Sequence, residues 1–200
     1  MEIVNDIRYW LGVVLLSSWV PAIFCWIIIH PLINLWRRTG KAVMWSVIIA
    51  IALSGVYALY SFRDPLMGAD LGFSFWLLIP AFLLAGVGTW LDVIRRKHLT
   101  TRILTGNPEV EGDASNLLTK GPYAHVRHPR YVAITLAYFG YAIFSNYAGL
   151  YLYLLASLPL LYLIVILEEK ELRERFGKAY EDYARTTPRF IPKGSYDFFF

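Results

Sequence analysis

The chain has 200 residues, of which 57% are hydrophobic and 17% charged, with a formal net charge of +4. Its apolar residues run in long blocks rather than in short periodic stripes, which excludes a water-soluble globular domain and points to an integral membrane protein. The basic residues sit beside those blocks, where topology and anionic headgroups account for them, so membrane lipids are the expected partners and nucleic acid is not.

Residues 1–9 hold Glu2, Asp6 and a single Arg8, unlike the basic start of a cleaved signal peptide, so the block behind them is read as a retained span. Cys25, alone in the chain, excludes an intrachain disulfide. Blocks over residues 10–36, 42–62 and 71–91 are each near or above the roughly 20 residues a membrane-crossing helix needs. A shorter block, 131–145, is joined through Asn146, Tyr147, Ala148 and Gly149 to 150–167, and these turn residues predict a helical hairpin. Residues 168–187 predict an amphipathic helix outside the membrane, with Leu172, Phe176, Tyr180 and Tyr183 as its apolar stripe.

The expected fold is therefore an all-α integral membrane protein of about five transmembrane helices, with a C-terminal helical hairpin and a cytosolic amphipathic helix. It forms a single membrane domain: N-terminal spans over 1–91, a cytosolic loop over 92–130, the hairpin over 131–167, and a helix and tail over 168–200. Five crossings put 17 Lys and Arg on one side and leave only Arg8 and Arg63 on the other. Positive residues mark the cytoplasmic face, so the N-terminus is expected outside and the long loop and C-terminus inside. A multi-pass protein of the cytoplasmic membrane follows if the source is prokaryotic. Nothing in the sequence bears on oligomeric state.

Two polar clusters bracket the hairpin. The first is the run GPYAHVRHPRY at 121–131, where Arg127 supplies a permanent cation and His128 a tunable imidazole, and Pro129 biases His128 away from helical geometry. The second is Glu168 with Glu169, two carboxylates against an apolar run, disfavoured there unless a positive or hydrogen-bonding partner receives them. Each also has a plain structural reading: an interfacial Arg and His at a helix entrance, and acidic residues in the first turn of a new helix. Gly86 and Gly88 could admit a ligand or let a neighbouring helix pack closely. His30 beside Pro31, and His98 in the basic stretch Arg95-Arg96-Lys97, read as interfacial. The four histidines and one cysteine show no metal-ligand spacing, so no metal is expected. The terminal Phe198-Phe199-Phe200 reads as a frayed tail.

From Leu117 to Pro192 the chain resembles the integral-membrane methyltransferases that include isoprenylcysteine carboxyl methyltransferase and the phospholipid N-methyltransferases. The resemblance lies in Leu117-Leu118, GPY, VRHP, Tyr131, the turn-joined hairpin, EExxLxxxFG from Glu168 to Gly177, Tyr180, Tyr183 and the closing PRFIP. It implies an S-adenosyl-L-methionine cofactor enclosed by the hairpin and C-terminal helix, and a lipid-like or small hydrophobic substrate arriving from the bilayer. Carried over by residue, Tyr123, His128, Pro129, Tyr131, Glu168 and Glu169 would line the cofactor pocket, with Gly86 and Gly88 added by likeness to a Gly-x-Gly motif. Arg127 would face the cofactor carboxylate or the reacting group, and Arg127 or Arg189 would orient a carboxylate or thiolate acceptor, which makes these two the catalytic candidates. Residues 105–108 and the acidic 109–113 resemble a bacterial or archaeal branch. Where the prenylcysteine enzymes place an arginine shortly before the glutamate pair, this chain has an apolar run containing Tyr162. The acceptor accordingly stays open among an isoprenylcysteine-like carboxylate, a phospholipid amine and a small hydrophobic thiol or acid. Two alternatives stand beside this reading: an NADPH-dependent enzyme of the sterol-reductase type, and a non-enzymatic membrane scaffold or transporter subunit.

Overall fold

The computed structural model describes residues 1–99 and 117–192. The acidic stretch, the segment before it and the terminal phenylalanines all lie outside the described residues. Among the described residues the helices are α1 (Glu2–Ile29), α2 (Ile33–Thr39), α3 (Lys41–Ser61), α4 (Arg63–Met67), α5 (Phe75–Lys97), α6 (Pro122–His125), α7 (Pro129–Ser145), α8 (Ala148–Phe176) and α9 (Lys178–Thr186). Four of them, α1, α3, α5 and α8, are long and apolar enough to cross a membrane. At 17 residues α7 reaches only about 25 Å, short of the ~30 Å hydrocarbon core.

Several boundaries differ from the sequence-based expectation, each for a local reason. The first span starts at Glu2 and stops at Ile29, because Pro31 cannot continue the backbone ladder; residues 33–39 then form the separate short α2. The third span starts later and runs on through Arg95, Arg96 and Lys97, cations that suit a helix C-terminus. The amphipathic helix expected over 168–187 is divided. Residues 168–175 are mostly strong helix formers without Gly or Pro, so α8 runs unbroken through Glu168 and Glu169 until Gly177, at φ +52°, ends it. The two glutamates are thus in a helix interior, not a first turn.

Close packing between α5 and α7 depends on small residues. A Cβ on Gly88 would lie 2.5 Å from the Ala133 carbonyl oxygen and the Ala137 nitrogen, and one on Gly140 would lie 2.4 Å from the Ala85 nitrogen. Such contacts let two backbones approach where lipid offers no hydrophobic drive. Meanwhile α1 packs against both hairpin arms: Trp19 sets its ring 4.3 Å from Tyr138 of α7, and its indole donates to Ser157 of α8 at 2.9 Å. Leu15, Leu16, Trp19 and Ile23 of α1 share one core with Tyr131, Ala142, Leu154, Ile164 and Val165. On its other side α1 carries α3 through Cys25, Ile29, Met44 and Ile48.

The turn of the hairpin is locked from outside it. Asn146 adopts the left-handed conformation and caps α7, Leu71 N–H donates to its carbonyl at 3.0 Å, and Ala148 N–H donates to Ala69 at 3.0 Å. Buried Arg8 donates to the Ser145 carbonyl at 3.1 Å and to Asn5 and Asp70. This end is consolidated by the backbone and one satisfied guanidinium. The other end of the hairpin holds the polar clusters.

Candidate functional site

Gly121, at φ +61°, starts the segment; a Cβ there would strike the His98 ring. The short α6 follows, then Val126 in extended backbone, and Pro129 opens α7 at a position where its missing N–H costs nothing. The extended stretch lets the backbone pair with the chain's closing segment: Arg127 N–H donates to the Pro188 carbonyl at 2.8 Å, and His128 N–H to that of Arg189 at 3.1 Å. Tyr183 hydroxyl donates to the Tyr123 carbonyl at 2.6 Å, and Arg127 Nη1 to that of Ala184 at 2.7 Å. The RHP turn and the PRF tail are one unit.

Glu169 lies at its centre, with no exposed side-chain surface. Arg189 forks onto it, Nε to Oε1 at 3.0 Å and Nη2 to Oε2 at 2.9 Å. Arg127 Nη2 reaches Oε1 at 2.9 Å, His128 Nε2 reaches Oε1 at 3.1 Å, and Arg173, one helical turn on, reaches Oε2 at 3.3 Å. Because a carboxylate only accepts, the His128 contact is an Nε2–H donation. The hydrogen bond to Glu169 raises the Arg189 guanidinium above its ordinary value.

Glu168 is placed differently. Its side chain is 31% exposed, it accepts from the Tyr131 hydroxyl at 2.8 Å, and His128 Nδ1 stands 3.8 Å away. His128 therefore lies between the twin carboxylates. Around it the rings of Tyr131, Phe190 and Tyr162 form a chain, with centroids 5.9 Å from Tyr131 to His128, 6.1 Å from His128 to Phe190 and 6.4 Å from Phe190 to Tyr162. Arg189 Nη1 donates to the Tyr162 hydroxyl at 2.9 Å. Tyr123 lies near Arg95 of α5, itself held by Asp92, and burial pushes the Tyr123 phenol up.

The structure thus joins Tyr123, Arg127, His128, Pro129, Tyr131, Glu168, Glu169 and Arg189 at one end of the bundle. Gly86 and Gly88 stand apart from this network: Gly88 is used up in packing against α7, and Gly86 is exposed with nothing near its Cβ position. The plain packing reading holds for Gly88. Three residues of the network, Arg95, Tyr162 and Arg173, were not singled out from the sequence for this site. Only Arg173 had a readable signal, its four-residue spacing from Glu169; the partnership of Arg189 with Tyr162 spans 27 positions and appears only in three dimensions.

The arrangement presents groups of both charges side by side. Glu168 has acceptor capacity left for a cation, Arg189 is 35% exposed, and aromatic faces lie between them. Residues 76–179, about half of the chain, match the phospholipid methyltransferase family. The chain is also similar to the nickel-cobalt-cadmium resistance protein NccN of Alcaligenes xylosoxydans xylosoxydans, at 26% identity over 150 residues. That similarity covers 75% of this chain and 63% of the relative. No solved structure matches.

Proposed function

The chain belongs to the phospholipid methyltransferase family, and we propose that it transfers a methyl group from S-adenosyl-L-methionine to a lipophilic acceptor at the polar end of its helical bundle. The observation that carries this reading is the junction of the RHP turn with the glutamate pair, His128 lying between Glu168 and Glu169 beside a multi-pass apolar bundle. The residues suit the donor: a partly exposed carboxylate for an ammonium or sulfonium, a partly exposed guanidinium for a carboxylate, and rings for a nucleoside. When bound, the cofactor supplies an electrophilic methyl on a sulfonium.

The chain's own share of the chemistry is positional. Displacement at a methyl carbon needs collinear nucleophile, carbon and leaving group, and the gain comes from orientation and from excluding water. Glu169 holds Arg127, Arg189 and His128 in fixed places, while Glu168, steadied by Tyr131, meets the cation. A carboxylate or thiolate acceptor is already nucleophilic. An amine would first give up its proton, and Glu168 or His128 Nδ1, the ring nitrogen turned to Glu168, would take it. In this reading the site faces the cytosol, because 17 of the 19 Lys and Arg fall on that side.

The reductase and scaffold alternatives lose support with the family match. The decisive experiment gives membranes containing the purified protein methyl-labelled S-adenosylmethionine and follows label into extractable lipid and small molecules, with S-adenosylhomocysteine binding measured by calorimetry in detergent. Binding with transfer of label is expected. Absence of both, with NADPH stabilising the protein instead, would replace this reading with the reductase.

A further inference from the structure

Arg130 takes no part in the network around Glu169. It lies in the first turn of α7, where a cation works against the helix dipole and no acidic residue shares the turn. Arg95, Arg127, Arg173 and Arg189 each meet a carboxylate. Arg130, among the described residues, makes neither an ion pair nor a hydrogen bond; its guanidinium is partly buried and lies over the ring of Trp26 in α1, 4.3 Å from the centroid.

The turn of α8 fixes what Arg130 faces. Glu169 points to the RHP turn, where Arg127 and His128 meet it, and Glu171 points to α1, where His30 Nδ1 stands 3.7 Å away and the side chain is 5% exposed. At 100° per residue, Glu168 lies between the two, about 100° from Glu169 and about 60° from Glu171. It therefore opens onto the space between the RHP turn and the end of α1. Arg130 and Trp26 span that same space, one from each side. Their level agrees as well. α1 and α8 run side by side in one direction, Trp19 meeting Ser157 and His30 meeting Glu171, and Trp26 stacks on His30 about one helical turn back, as Glu168 comes about one turn before Glu171. Tyr131, which follows Arg130 directly, donates its hydroxyl to Glu168 at 2.8 Å, and the charges of both Arg130 and Glu168 act on the phenols of Tyr123 and Tyr131. Opposite charges that border one opening without pairing suit ligand charges that are likewise apart: a cation for Glu168 and an anion for Arg130.

We propose that Arg130, seated on Trp26, is a specificity-determining residue for the acceptor and takes an acidic group, phosphate or carboxylate, on an amphiphile arriving along the end of α1. This rests on the proposed function, in which Glu168 meets the sulfonium and the acceptor comes to the same opening. A guanidinium receives either acid through two parallel N–H groups, and the indole face holds its plane.

Arg130→Gln tests it, with protein loaded with S-adenosylhomocysteine in detergent and protein-free micelles as the blank. Calorimetry compares dodecanoate with dodecanamide, and dodecyl phosphate with dodecanol. The wild type should prefer the acid of at least one pair about tenfold or more, and the variant should lose that preference while its affinities for the neutral compounds and for S-adenosylhomocysteine stay put. Arg130→Lys, which keeps the charge without the fork, should recover part of the preference. Loss confined to dodecyl phosphate assigns the residue to a lipid phosphate, loss confined to dodecanoate to a carboxylate, and loss of both to an acid of either kind. Equal affinity of the wild type for acid and neutral partners, an acid preference unchanged in Arg130→Gln, or an equal loss for the neutral compounds overturns the proposal and leaves the methyltransferase reading intact. Failure of the wild-type protein to bind S-adenosylhomocysteine removes both.

Discussion

Arg189 closes a two-pronged ion pair on Glu169, with N to O distances of 3.0 and 2.9 Å, and so ties the closing segment of the chain to the interior of its longest helix. The backbone bond from His128 N–H to the Arg189 carbonyl holds the same residue from the other side. Breaking a buried pair by removing one member leaves the remaining charges uncompensated, at a cost of about 3–5 kcal/mol. Glu169→Gln should destabilise the protein on that scale, since three guanidiniums lose their counter-charge together. Arg189→Lys keeps the charge but loses the fork, and with a third of the side chain exposed its cost should be nearer ~1 kcal/mol. Thermal unfolding in detergent checks both; a wild-type melting temperature for Glu169→Gln would refute a structural role for the network.

The adjacent glutamates should separate by phenotype. Glu168 is partly exposed and holds one hydrogen bond from Tyr131, so Glu168→Gln should change stability by less than about 1 kcal/mol. Its affinity for S-adenosylhomocysteine should nevertheless drop about tenfold with loss of the carboxylate. Calorimetry beside thermal melts reads both quantities, and equal behaviour of the Glu168 and Glu169 variants would contradict the division.

Gly88→Ala should lower the melting temperature, because its Cβ would sit 2.5 Å from backbone atoms of α7 that cannot swing aside. Overpacking of this kind costs about 1–3 kcal/mol. Gly86→Ala should leave the temperature unchanged or raise it, as the position is open and helical. If Gly86→Ala instead weakened cofactor binding without loss of stability, the Gly-x-Gly likeness would regain a functional meaning.

Arg8→Met should destabilise the opposite end of the hairpin. It would strip the Ser145 carbonyl and Asp70 of a buried donor, costing about 1–3 kcal/mol, with cofactor affinity retained in whatever fraction stays folded. Limited proteolysis at the 68–74 loop, now tied to Asn146 and Ala148, should accelerate. An unchanged cleavage rate would argue that Asn146 and the backbone bonds suffice without Arg8.

Alkaline pH should weaken the fold through Tyr180. Its phenol is raised from the usual 10.0 to about 12, first by burial and then by Glu169. Below pH 10 both folded and unfolded chains keep the proton and the contribution is complete. Between 10 and 12 the unfolded chain loses its proton first, so stability falls as pH rises, by roughly 3 kcal/mol in all. Tyr183, raised by burial and by Tyr180, adds in the same direction. Melting temperatures across pH 8–11.5 should decline, with a shallower slope in Tyr180→Phe; identical slopes would deny Tyr180 this part.

Membrane character, the hairpin turn and the two polar clusters were legible along the chain because each depends on local chemistry. Long apolar runs need lipid or a deep core, Asn146 and Gly149 mark a turn, and Arg, His and Glu beside apolar blocks need partners. The helix spacing from Glu169 to Arg173 belongs with these. The extent of α8 was misjudged, since charged residues suggested a new helix where uninterrupted helix formers simply continued the old one.

Only the tertiary structure decided how the clusters divide their work. Glu168 and Glu169 are neighbours in sequence, yet about 100° of helical turn sends one into a cage of guanidiniums and leaves the other facing outward. Likewise Gly86 and Gly88 differ only in which side of α5 meets α7. Composition and spacing report what a side chain needs, whereas burial and partnership depend on where residues 27 to 137 positions away come to rest, as with Tyr162 and Arg189 or Arg8 and Ser145. That is a property of the packed helices, set by contacts no stretch of the chain contains.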